Sequence, residues 1–170
     1  MPKVGIIMGS DSDLPIMQGA CEILDKFAVD YSVKVCSAHR LPDETAQYAK
    51  EAIAEGYEVI IAAAGGAAHL PGVVAAYTIL PVIGVPMKSG ALAGVDSLYS
   101  IVQMPKGIPV ATVAIDGSAN AALLAIEILA IKYEALHDAM TEYRKERTGE
   151  VKDKDKRLQE LGVKKYLQQA

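Results

Sequence analysis

Tryptophan is absent from this 170-residue chain and phenylalanine occurs once. The core must therefore be packed from alanine and aliphatic side chains. Cysteine is nearly as scarce: Cys21 and Cys36 form neither a CxxC pair nor a metal-type spacing, and no further ligand residues cluster with them. That excludes a disulfide scaffold and a zinc module, and both thiols are read as small hydrophobes in a reducing compartment. Positive charge is not concentrated either. The net charge is −4, and no basic run precedes the C-terminal segment, which argues against a nucleic-acid partner. Long apolar runs are missing too, since no stretch approaches the roughly 20 unbroken residues that a membrane span requires. The opening MPKVGIIMG has one lysine, too short an apolar run for a secretory leader, and no cleavage site. A soluble, cytoplasmic protein is expected, with neither nucleic acid nor membrane as partner.

What is present is a globular composition, 51% hydrophobic and 22% charged, in a length that suits one domain. Five short apolar segments read as strands: Val4 to Met8, Tyr31 to Cys36, Val59 to Ala64, Leu80 to Val85 and Val110 to Ile115. Between them run helical spacings: from near Asp13, from Pro42 to about Glu55 with Ala46, Ala49, Ala52 and Ile53 inward, from Leu70 to about Thr78, and from Ser97 to Val102 with Asp96 as N-cap. A long helix is expected from near Asn120, which suits its cap, to about Lys145, with its alanine- and leucine-rich start buried and His137 exposed. Strands alternating with helices give an α/β fold with a central parallel sheet covered on both faces. Residues 1–147 are expected to form this single domain. Residues 148–170 read as a charged, aperiodic linker (TGEVKDKDKR) and a short helical tail, which is too short to stand alone and should dock on a neighbouring subunit.

The segment around which the rest is arranged is VIIAAAGGAAHLPG, Val59 to Gly72. A fully apolar strand breaks into Gly65-Gly66, where backbone geometry closed to other residues is available. Ala67 and Ala68 let a ligand approach the main chain, His69 is the first side chain with proton chemistry, and Pro71 suits a helix start. Strand one ends in Gly9-Ser10-Asp11-Ser12-Asp13, more small and polar residues than helix capping needs. Ser10 and the local amides suit a phosphate at a helix N-terminus, and Asp13 suits sugar or ring donors. Strand two ends in Ser37-Ala38-His39-Arg40. Arg40 offers a planar fork for an anion, and His39 both gives and takes a proton near neutral pH. The loop Met87 to Asp96 adds Lys88, Ser89 and, just beyond it, Ser97 as residues able to reach an anionic ligand. Met104 reads as a gap filler or an apolar plug on the site.

In a parallel sheet the loops after strands one, two, three and five share one edge, so Ser10, Asp13, Ser37, His39, Arg40, Gly65, Gly66, Ala67 and His69 converge. The Walker motif GxxxxGK[ST], the dinucleotide fingerprint GxGxxG, the nucleophile elbow GxSxG and an acidic metal cluster are all missing. What remains is an anion holder with a proton-transfer histidine, suited to acid/base work at carbon on a phosphorylated ligand.

The ordered set GSxSD, SAHR, GGAAHLPG and GVDSLYSIVQMPxGIPVAT, spanning Val4 to about Leu136, resembles the N5-carboxyaminoimidazole ribonucleotide mutase family, the class I, bacterial-type phosphoribosylaminoimidazole carboxylase catalytic subunits. The resemblance implies a three-layer αβα sandwich of the flavodoxin-like or Rossmann-like kind, assembled as a homo-octamer. It also implies transfer of a carboxylate from nitrogen to ring carbon C4 of a ribonucleotide, with no metal or organic cofactor. Ser10, Asp13 and Arg40 match the family's nucleotide-binding positions and His39 its acid/base. The GGAAHLPG loop would bound the pocket, with His69 orienting. Asp116 to Asn120 is slightly shorter than the family's loop there. Two other readings stand beside this one: a carboxylase using free carbon dioxide, and a non-catalytic nucleotide-binding module.

Overall fold

The computed structural model describes residues 2–169. Five strands form one parallel sheet: β1 (Lys3–Met8), β2 (Asp30–Val35), β3 (Val59–Gly65), β4 (Val82–Met87) and β5 (Ala111–Thr112), in the order β2-β1-β3-β4-β5. This is the flavodoxin-like order, in which the strand order reverses between β1 and β3. The helices are α1 (Leu14–Lys26), α2 (Pro42–Glu51), α3 (Leu70–Tyr77), α4 (Val95–Val102), α5 (Ser118–Ala130) and α6 (Glu134–Gln168), with a 3-10 turn at Asp11–Asp13 ahead of α1.

The strand alternation sorts two cores. Ile6, Met8, Val59, Ile61, Ala63, Ile83 and Val85 face Met17, Leu24, Ala121, Ala125 and Ile126 of α1 and α5. Ile7, Ile60, Ala62 and Ala64 face Ala49, Leu70, Val74 and Ile101 of α2, α3 and α4. Both faces of β1, β3 and β4 are thus buried, which is why these strands read as unbroken apolar runs. The edge strand β2 leaves Val33 and Val35 exposed.

Several elements depart from the sequence expectations, each for a tertiary or local reason. The fifth strand keeps only two ladder residues. Val113 still donates to Gly84 O and Asp116 to Pro86 O, but Asp116 takes a left-handed φ of 58° that ends the run. In α2, Thr45 is buried beside Cys36 while Ile53 is exposed, past the helix end. Helix α4 starts two residues early: Gly94, at φ 90°, holds the cap position and Asp96 lies in the first turn. Asn120 lies inside α5, whose cap residue is Gly117. The expected long helix is interrupted at 131–133. There the amides of Lys132 and Tyr133 both donate to Leu129 O, while the Tyr133 hydroxyl and the Lys132 ammonium reach Glu58. His137 is exposed on α6.

The expected linker at 148–157 is helical, a continuation of α6. Its Glu, Lys and Arg residues are sound helix formers, supported by local pairs such as Arg147–Glu150, Lys156–Glu160 and Gln159–Asp155. The missing periodicity reports a helix without a buried face. Gly162, at φ 66° and ψ 160°, breaks α6 near its end.

Candidate active site

The carboxyl ends of β1, β2 and β3 open into a cavity of about 510 Å³. It is lined by all nine residues expected to converge: Ser10, Asp13, Ser37, His39, Arg40, Gly65, Gly66, Ala67 and His69. Gly9, Ser12, Ala38, Ala64, Leu70 and Ser89 complete the wall. A cavity of similar size lies between β2 and α2, lined by Ser32, Lys34, Glu44, Tyr48 and Tyr57 among others. It has neither a histidine nor a glycine-rich turn, and lies away from the edge where parallel sheets bind ligands.

The first loop is ordered by its own hydroxyls. Ser10 caps the 3-10 turn, its Oγ accepting from Ser12 N at 3.3 Å and from Ser12 Oγ at 2.9 Å. Asp13 follows, half-buried. Burial pushes its carboxyl above the ordinary aspartate value, a shift only partly opposed by hydrogen bonds from Ser12 and Ser10 and reinforced by the charges of Asp116 and Asp11.

The second loop is a tight turn in which Arg40 N and Leu41 N both donate to Ser37 O. It throws His39 and Arg40 outward over the cavity. One guanidinium nitrogen, Nη2, donates to Gly9 O at 3.3 Å, tying the second loop to the first and leaving the rest of the fork free to meet an anion.

The third loop shows why two glycines are needed. A Cβ on Gly65 would stand 3.1 Å from Ser89 Oγ, and Gly66 has φ 61°. Gly66 N donates to Ser89 Oγ at 3.0 Å, which joins this loop to the chain after β4. His69 then sits at the head of α3.

The central contact is between His39 Nε2 and His69 Nδ1, at 2.7 Å, with the rings edge-on at 79°. One of these nitrogens must carry hydrogen and the other a lone pair, so a single proton lies between the two imidazoles. The contact couples the tautomers and tilts of the two rings, and each ring keeps a second nitrogen.

Ser89, which the sequence offered as able to reach an anionic ligand, lines the cavity beside the nine residues expected to converge. The Gly65↔Met87 register brings the chain after β4 to that edge as well. Ser97 is not a site residue: its buried Oγ donates to Met87 O at 2.7 Å and to Gly94 O at 3.0 Å. Lys88 is not among the residues lining the cavity, and Met104 packs against Gly72 of α3 as a gap filler. Cys36 is buried and Cys21 partly so, and both are free thiols. Among the described residues no helix is long and apolar enough to cross a membrane, and no three His, Cys, Asp or Glu side chains are grouped as metal ligands.

Fold and site together define a parallel α/β protein with a cavity at the sheet switch point, walled by a histidine pair, Arg40 and the Gly65-Gly66 turn. The chain belongs to the AIR carboxylase family, whose model matches residues 3–150. It is 60% identical to N5-carboxyaminoimidazole ribonucleotide mutase of Pyrococcus horikoshii, over 98% of this chain and 94% of that one. To the protein of the same name from Thermotoga maritima it is 58% identical, over 99% of each. Phosphoribosylaminoimidazole carboxylase of Candida glabrata is 54% identical over 98% of this chain, which spans only 29% of that longer protein. The crystal structure of Treponema denticola PurE superposes with a TM-score of 0.85 at 30% identity, covering 93% of this chain and 99% of that one.

Proposed function

We propose that the chain converts N5-carboxyaminoimidazole ribonucleotide to 4-carboxy-5-aminoimidazole ribonucleotide in de novo purine biosynthesis. The observation that carries this reading is the His39–His69 contact in the wall of a cavity that also presents Arg40, Ser10 and Asp13. Identity of about 60% over nearly the full length of relatives named as mutases favours the mutase over a carboxylase acting on free carbon dioxide.

In this reading Ser10, Ser37 and Arg40 hold the phosphate, Asp13 accepts from the sugar or ring, and the Gly65-Gly66-Ala67 main chain closes over the base. The bond between nitrogen and the carboxylate breaks, its electron pair staying on nitrogen, which takes a proton from the histidine pair. The freed carbon dioxide stays in the pocket, where its escape is slowed by the exclusion of water. Ring carbon C4, an enamine carbon, bonds to it. The hydrogen on C4 then leaves as a proton to the His39 imidazole. One proton is delivered and one recovered, so the pair ends as it began. His39 is the acid/base; His69 orients it.

Residues 148–170 dock on a neighbouring copy in a homo-oligomer, an octamer by family resemblance. The free Cys21 and Cys36 suit the reducing cytoplasm.

The test is His39→Asn. Turnover should fall by about 10² to 10⁴-fold, the usual worth of a positioned acid/base, while aminoimidazole ribonucleotide still binds. Turnover that survives the change overturns the reading. Assays with each substrate, with and without bicarbonate, separate mutase from carboxylase: the mutase uses the N-carboxylated substrate and is indifferent to bicarbonate.

A further inference from the structure

The loop between β4 and α4 contributes Ser89 to the cavity, and it contains Gly90 and Gly94, both at positive φ. Such a segment needs an anchor to hold one geometry. Its ladder bonds end at Met87, and the amide of the next residue, Lys88, donates to Asp116 Oδ1 at 2.8 Å. Asp116 is itself pinned, because its amide donates to Pro86 O at 2.9 Å. Its backbone is left-handed at φ 58°, a conformation that Asp and Asn tolerate better than other side chains. The carboxylate thus points back along the end of β4 instead of capping α5, whose cap is Gly117.

A continuous line of bonds follows. Asp116 holds Lys88; the adjacent Ser89 accepts from Gly66 N at 3.0 Å; Gly66 lies in the cavity wall between Gly65 and Ala67. We propose that Asp116 is a positioning residue for the active site, setting the main chain of the Gly65-Gly66-Ala67 loop through Lys88 and Ser89 without itself touching the substrate. Its charge also reaches the site, since it is one of those acting on Asp13. The turn at Asp116-Gly117 is therefore a working part of the catalytic edge.

The proposal rests on the mutase reading only for its turnover arm. Hydrogen–deuterium exchange resolved to single amides tests it without turnover. Asp116→Gly keeps the left-handed backbone and removes the acceptor, so the amides of both Lys88 and Gly66 should exchange about tenfold faster. Ser89→Ala should speed Gly66 alone. Asp116→Asn, which keeps an oxygen acceptor, should bring both amides back to wild-type rates. In turnover, Asp116→Gly should lower kcat about tenfold with KM little changed, because the groups gripping the phosphate are untouched, and Asp116→Asn should recover most of the loss. Unchanged Gly66 exchange in Asp116→Gly, or a KM effect without a kcat effect, overturns the proposal. Absent turnover in the wild type would overturn the mutase reading and leave the exchange result standing.

Discussion

Asp13 shows how a binding site and stability pull against each other in one side chain. Burial raises its carboxyl above the ordinary aspartate value, with smaller contributions from the charges of Asp116 and Asp11. The folded chain therefore holds that proton more tightly than the unfolded chain does. The consequent stability is fully present below the unfolded aspartate value and is lost as pH rises through the raised folded value. At neutral pH the ionised Asp13 thus costs stability. Asp13→Asn should raise the melting temperature at pH 7, lose that advantage at or below about pH 4, and weaken ribonucleotide binding. Thermal scans across pH, paired with titration calorimetry, check both parts. A variant less stable than wild type at pH 7 would refute the account. The place of Asp13 in the cavity wall was legible in the sequence because capping alone does not need so many small polar residues after one strand. Its raised carboxyl was not, since burial and the nearby Asp116 arise only on folding.

At the scale of elements, β1 and α2 meet at Gly5 and Tyr48. The Tyr48 hydroxyl is buried with no hydrogen-bond partner among the described residues, and a Cβ built on Gly5 would collide with it. Burial also pushes this phenol up, so it stays neutral. Gly5→Ala should destabilise the fold by about 1–3 kcal/mol, as overpacking does. Tyr48→Phe should be nearly neutral, because no protein bond is lost. In the double variant most of the Gly5→Ala cost should disappear, a coupling that denaturant melts of the four proteins would measure. Additive effects would show that the clash is relieved elsewhere. Strands β1 and β3 and the starts of α2 and α3 could be read from the sequence, because both faces of the strands are apolar and a proline opens each helix. The end of α5 could not. It is set by Glu58, which holds Lys132 and Tyr133 across the fold, and no local residue announces it. Nor could the helical state of 148–157, where helix-forming residues have no buried side to give them a period.

At the scale of the whole molecule, α6 starts buried in the core at Leu136 and Met140 and runs on into exposed residues. The last domain contacts of α6 are Tyr143 against Phe27, with ring centroids 5.6 Å apart, and Glu146 with Lys26 at 3.1 Å. Beyond them Val151, Val163 and Leu167 are exposed. The proposed docking of this segment on another copy would bury these residues. Deleting residues 150–170 should leave the domain's stability within about 0.5 kcal/mol, as for surface changes generally, while light scattering should show a smaller assembly than the full chain forms. An unchanged assembly would remove the arm from the oligomer contacts.

Taken alone, the sequence determined the parallel α/β sheet, the edge where the cavity opens, and the nine residues that meet there. Each of these rests on local spacing, strand by strand and loop by loop, and parallel strands bring equivalent loops to one side. Only the tertiary structure decided that Ser89 holds Gly66, that Asp116 holds Lys88 and that Tyr133 turns the chain toward Glu58. These pairs lie 23, 28 and 75 residues apart along the chain. A hydrogen bond across such a separation leaves no period or motif behind, because it exists only once the sheet has set the two loops side by side.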